Sequence, residues 1–230
     1  MNRKSLLHPA TCFFLLTVLA AFMSWVGTVY EWEGVKSLFS GEGLRWMLHS
    51  AGKLYVCSEV VPVVLVLFLG CGLFFHSGLW KICLKFFRHK ASVSHKERHA
   101  LFVSVSFFLV YFCALAVLAW GPWNLVRSVS GTLSGSSFEE GIWCLISLGI
   151  GLASVVYGFS SDTYVSDRDI VRGMAFLFAQ KASYFVTLYF VLLFFACLDY
   201  SGMARAAGVS DDVTEGLCWI VCILLLGRSG

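Results

Sequence analysis

Long uninterrupted apolar runs alternate along this chain with short polar segments. Five runs are long enough to cross a hydrocarbon core, which takes about 20 residues: about 9–30, 56–79, 100–120, 141–159 and 174–198. None carries the charged face of a soluble surface helix or the strict alternation of a half-buried strand. The pattern predicts an all-α fold, a polytopic transmembrane helix bundle forming a single membrane domain over 1–230. A sixth apolar run, Leu217 to Leu226, covers about half of a 30 Å core at about 1.5 Å per residue and reads as a partial span. From Gly41 to His49, turn residues give way to alternating apolar and polar positions, which predicts a short helix in the outer interface. The first run follows Arg3 and Lys4 as a signal peptide would. It is longer than a signal-peptide core and ends near Trp25 and Tyr30, so it is expected to be a retained span.

Composition narrows this further. Of 230 residues, 58% are hydrophobic and 13% charged, against roughly 45–50% and about 25% in soluble domains. That excludes an ordinary soluble globule, and the high hydrophobicity excludes a disordered chain. The net charge of +3 is too small to imply a nucleic-acid partner, which leaves the lipid bilayer. Positive charge is unevenly placed. Of the 17 Lys and Arg residues, six lie between Lys81 and Arg98, and Arg3, Lys4, Arg168, Arg172 and Arg228 fall on the same side. Lys36, Arg45, Lys53, Arg127 and Arg205 fall on the other side, and Lys181 within the fifth run. The positive-inside rule then predicts a multi-pass protein of a bacterial-type inner membrane. Its N-terminus and its basic loop 80–99 would be cytoplasmic, with loops 31–55, 121–140 and 199–214 outside. Trp25, Tyr30, Trp32, Trp120, Trp123 and Trp143 would sit at the outer headgroup level.

Candidate chemistry is sparse. The nine cysteines form no CxxC pair, and several lie inside apolar runs, so they read as buried or lipid-facing rather than as a disulfide framework or zinc site. Intramembrane ionisable groups are costly and therefore candidates for function. Glu59 precedes Pro62 by three residues. It reads either as a cation or proton site beside a broken helix or as a carboxylate at the outer interface in a first helical turn, which suits the helix dipole better. Lys181, with Gln180 beside it, reads as a snorkelling cation or the partner of a buried charge. These three are weak substrate-binding candidates. His76 reads as an interfacial histidine, Asp199 as solvated, and Asp167-Arg168-Asp169 as a solvated turn. No nucleophile elbow, phosphate-binding loop, metal motif or catalytic carboxylate pair is present, so neither an enzyme nor a metal or organic cofactor is expected. The fourth run places small residues at four-residue steps: Ser147 with Gly151, Gly149 with Ala153, and Ser154 with Gly158. Such pairs let helix backbones approach in lipid, which predicts a packed inner helix or an oligomer face.

Several motifs occur in the order found in the p-aminobenzoyl-glutamate transporter family (AbgT). They are His8-Pro9, the loop Val35 to Trp46, Leu69-Gly70-Cys71-Gly72-Leu73 followed by Ser77-Gly78-Leu79, Ser94 to Leu101, and Ser136-Ser137-Phe138 with Gly141 and Val156-Tyr157-Gly158. Over most of residues 8–205 the chain resembles that family. The resemblance implies secondary transport of p-aminobenzoyl-glutamate-like substrates and a five-span scaffold that forms a dimer contact. Full members are roughly twice as long and add a transport part with two re-entrant hairpins. Here the chain resembles a member that skips the first hairpin region between Lys90 and Ser94 and ends before the second. The family's binding residues lie in those hairpins, so the resemblance assigns none here. It implies a homodimer and a second chain supplying the transport part, or alternatively a non-transporting scaffold or a truncated product.

Overall fold

The structure is a computed structural model and describes residues 8–87, 94–121 and 136–228. Arg3, Lys4, Arg88, Lys90, Trp123 and Arg127, to which the sequence gives topological meaning, lie outside the described residues. The fold is all-α, with no strand among the described residues. Its helices are α1 (Pro9–Val29), α2 (Gly41–Cys57), α3 (Val60–His76), α4 (Leu79–Phe87), α5 (His95–Trp120), α6 (Ser137–Ser160), α7 (Asp167–Gln180), α8 (Ala182–Ser201), α9 (Met203–Ala206) and α10 (Asp211–Arg228). Five helical stretches among the described residues are long and apolar enough to cross a membrane: Pro9–Val29, Gly41–His76, His95–Trp120, Phe138–Ser160 and Ala182–Ser201.

Helix ends follow local chemistry. His8 caps α1 through its ring nitrogen and Pro9 opens the helix, where the missing N–H costs nothing. Ser40 caps α2 and Ser136 caps α6; Ser94 and Glu97 form a capping box at α5. Four elements differ from the sequence expectation. The helix expected over 41–49 continues to Cys57, and the second span begins at Val60 after a break at Ser58 and Glu59. The run expected as one helix over 174–198 is divided at Lys181, whose φ of −114° and ψ of 27° end α7 and start α8. Asp167-Arg168-Asp169 is the first turn of α7 rather than a free turn, because carboxylates suit a helix N-terminus. The partial sixth run lies in an 18-residue helix, α10, whose first turn carries Asp211 and Asp212.

The chain divides into two compact units, one of residues 1–62 with 181–230 and one of residues 63–180. In the first, α1 packs along α8. The buried stripe of α1 is Ala10, Thr17, Ala20, Ala21, Ser24 and Gly27, at the three- and four-residue steps of one helix face. Thr17 and Ser24 donate their hydroxyls to Phe13 O and Ala21 O of α1 itself. Ser24 also accepts from the Leu38 N–H, 3.1 Å away, which seats the loop after α1. Leu38 is fully buried with Ala21 and Cys197, beneath Trp46 and Tyr200, whose rings stack 4.3 Å apart. On the other side of α8, the Tyr184 hydroxyl donates to Cys222 O of α10 at 3.1 Å.

In the second unit α5 and α6 pack along their lengths. Ser104 Oγ donates to Ala153 O at 2.8 Å and the Tyr111 hydroxyl to Leu145 O at 3.0 Å. Helix α4 seals one end of this pair, with Leu79 and Ile82 buried against Ala100 and Tyr157.

Candidate functional site

The fourth run is the hub of the second unit. All six small residues singled out from the sequence are buried within it. Ser147 faces α3, where its hydroxyl donates to Val66 O and accepts from Gly70 N at 3.2 Å. Gly149 lies under the rings of Tyr111 and Phe112 of α5, and Gly151 against Leu73 of α3. Ala153 receives the Ser104 hydroxyl, and Ser154 bonds back to Ile150 O of its own helix. Gly158 lies beneath the ring of Tyr164. Helix α7 approaches α3 as closely: a side chain at Gly72 would meet Gly173 O at 2.7 Å.

Tyr164 is the side chain this hub closes around. The turn after α6 folds back, with the N–H groups of Thr163 and Tyr164 both donating to Gly158 O, at 2.8 and 3.0 Å. Asp162 supplies the reversal with φ of +57°, a left-handed conformation that aspartate adopts more readily than most residues, and pairs with Lys96 at the start of α5. The ring of Tyr164 is 1% exposed, stacks on His76 with centroids 5.7 Å apart, and donates to Leu73 O at 3.3 Å. Burial pushes its phenol up to about 12 and the Asp169 charge adds to this, so it remains a donor at physiological pH.

Asp169 holds the other end of that turn. Its carboxylate accepts from Val165 N and Ser166 N at 3.1 Å each, and Arg172 lies 3.5 Å away. The two backbone bonds hold its carboxyl below the usual range, with smaller contributions from the Ser166 hydroxyl and Arg172. A carboxyl lowered by folding contributes stability that is fully present above the ordinary value of about 4 and is lost as pH falls through the lower folded value. Asp169→Asn is therefore expected to flatten the acid limb of a stability–pH curve. Thermal unfolding of both proteins from neutral to acid pH checks this, and parallel curves would refute it.

The three weak substrate-binding candidates all lie at helix ends. Glu59 is exposed at the break before α3 and Gln180 is exposed at the end of α7. Lys181 is half-buried between α7 and α8, with its Nζ 3.4 Å from Leu226 O.

Two grooves were missed by the sequence reading. In the first unit a groove of about 450 Å³ lies among α2, α8 and α10, with Leu192, Phe195 and Ala196 on its wall and Asp199, Arg205, Asp211 and Glu215 at its mouth. Arg205 bridges Asp211 at 2.7 Å and Asp199 at 2.8 Å, and these bonds hold its guanidinium above its ordinary value. Three carboxylates against one guanidinium leave the mouth negative, unsuited to a dicarboxylate ligand. In the second unit a groove of about 560 Å³ lies between α4 and α5, lined by Cys83, Phe86, His95, Arg98, His99, Leu101, Phe102 and Val105. The spacing of His95, Arg98, Phe102 and Val105 on one helix face was a signal in the sequence, although its partner helix was not. Among the described residues no group of His, Cys, Asp and Glu is placed to hold a metal ion.

Residues 87–226 match the model of the "AbgT putative transporter family", the family that the motifs resemble. No match occurs among curated proteins. Two solved structures share the fold. The YdaH transporter of Alcanivorax borkumensis is 14% identical with a TM-score of 0.74, over 94% of this chain and 74% of that one. MtrF of Neisseria gonorrhoeae, described as illuminating a class of antimetabolite efflux pumps, is 15% identical with a TM-score of 0.75, over 88% of this chain and 71% of that one. At these identities the likeness is one of fold.

Proposed function

This chain belongs to the AbgT transporter family, and we propose that it serves as the scaffold of a p-aminobenzoyl-glutamate-type secondary transporter, with a second chain supplying the substrate-binding hairpins. The observation that carries this reading is where the family match begins. It starts at Phe87, beside the 90–94 junction at which the resemblance loses its first hairpin region. Transporters bind near the midplane at broken helices. Here the groove at Arg205 carries the wrong charge for a dicarboxylate. The scaffold would sit in an inner membrane with its N-terminus cytoplasmic and would form a homodimer.

The test is accumulation of labelled p-aminobenzoyl-glutamate in cells making this chain alone, a hairpin-bearing family chain alone, or both. Accumulation is expected to change only when both are made: a rise for uptake, or a fall for efflux of the kind named for MtrF. No change from empty vector, with both chains inserted, would reject transport. That result would favour a non-transporting scaffold.

A further inference from the structure

We infer that the groove between α4 and α5 is a binding site for an anionic phospholipid, with the phosphate at Arg98 and one acyl chain along the apolar wall. Residues along α5 change from polar to apolar. His95, Arg98 and His99 occupy its first turns, and Leu101, Phe102 and Val105 follow on the side that the groove exposes. From His95 to Val105 the helix rises about 15 Å at 1.5 Å per residue, which is half of a 30 Å core. The groove therefore runs over about the depth of one leaflet, polar at one end and apolar at the other.

The opposite wall has the same order of chemistry. Helix α4 buries Leu79 and Ile82 against Ala100 and Tyr157, turns Cys83 and Phe86 into the groove, and leaves Lys81 and Lys85 exposed. Its apolar and basic faces are those of a helix at the membrane interface.

Charge selects the headgroup. Arg98 presents a planar guanidinium fork that matches a phosphate, and the two histidine rings add N–H donors. The nearby carboxylates are engaged elsewhere. Glu97 accepts from Ser94 N in the capping box at 3.0 Å, and Asp162 pairs with Lys96. A zwitterionic headgroup would bring a cation into this basic mouth, whereas an anionic one brings none. The wall decides between a lipid and a soluble phosphate. Phe102 is 72% exposed and Phe86 55%, an apolar surface that a free anion leaves in contact with water and an acyl chain covers.

The experiment is native mass spectrometry of the delipidated full chain, titrated with phosphatidylglycerol or with phosphatidylcholine of the same acyl chains. Phosphatidylglycerol is expected to be retained in preference. Arg98→Gln should lower that preference about fivefold, the loss expected of one basic contact with an anionic lipid. Arg98→Lys should keep most of it, and Lys85→Gln, the same charge change outside the groove, should leave it unaltered. Soluble glycerol phosphate should not displace the lipid. Equal retention of the two lipids would overturn the inference. So would equal losses in Arg98→Gln and Lys85→Gln, which would show diffuse surface charge only, or displacement by glycerol phosphate, which would show a free-anion site. The wild-type lipid preference and the displacement arm decide the matter even if Arg98→Gln fails to fold.

Discussion

Gly158→Ala is expected to be among the most damaging single-methyl changes in this protein, costing about 3 kcal/mol, the upper range for overpacking. A β-carbon at that position would lie on the ring of Tyr164, 2.7 Å from both Cγ and Cε2 and closer to Cδ2. The ring cannot swing aside at low cost. It is buried, stacked on His76 and bonded through its hydroxyl to Leu73 O, and its own N–H is tied to Gly158 O. Because the obstacle is a side chain, removing it should remove the clash. Tyr164→Ala alone is expected to cost about 3–5 kcal/mol for a truncated buried aromatic, and adding Gly158→Ala to it should cost almost nothing more. Unfolding of the two single variants and the double variant in detergent measures the coupling. Simple additivity would refute the contact.

Gly70→Ala is expected to cost about 2–3 kcal/mol, with the opposite response to a second change. Its β-carbon would meet Ser147 Oγ at 2.5 Å and Ser147 C at 3.0 Å, with the carbonyl oxygen closer still. Here the obstacle is mostly backbone. Ser147→Gly would remove the hydroxyl, along with its bonds to Val66 O and Gly70 N, and leave the carbonyl where it is. The double variant should therefore be no more stable than Gly70→Ala. Recovery to the stability of Ser147→Gly alone would show that α3 and α6 can separate without cost, contrary to close small-residue packing.

The spans were legible because burial in lipid demands apolar residues over a fixed length, and an uninterrupted run records that demand directly. The small residues of α6 were legible for a similar reason: four-residue spacing marks one face of a helix. What occupies that face was not legible. Gly158 reads as half of a helix-packing pair with Ser154, yet its occupant is Tyr164, six residues on and outside any helix. A turn that folds back on its own helix leaves no periodic trace. The division at Lys181 was hidden because Gln180 and Lys181 are good helix formers and neither Gly nor Pro marks the site. The equivalent stripe on α1, from Ala10 to Gly27, was present in the sequence at helical spacing. It was masked because alanine is itself apolar and common in spans. Of the candidate sites, the half of the α4–α5 groove on one helix could be read from spacing, whereas its second wall needed the fold.

The make-up of the two units has a consequence for the order of synthesis. The unit over 63–180 is continuous in sequence, so its helices meet close partners soon after they emerge. The other unit joins residues 1–62 to 181–230, and α1 must wait for α8, about 150 residues later, or roughly 10–30 s at ordinary translation rates. During that interval its small-residue stripe faces lipid rather than a partner. The polar members of the stripe are already satisfied: Thr17 and Ser24 donate to carbonyls of α1 itself, so no hydroxyl is left bare in hydrocarbon. The first helix is built to be stored in the membrane as well as to be packed.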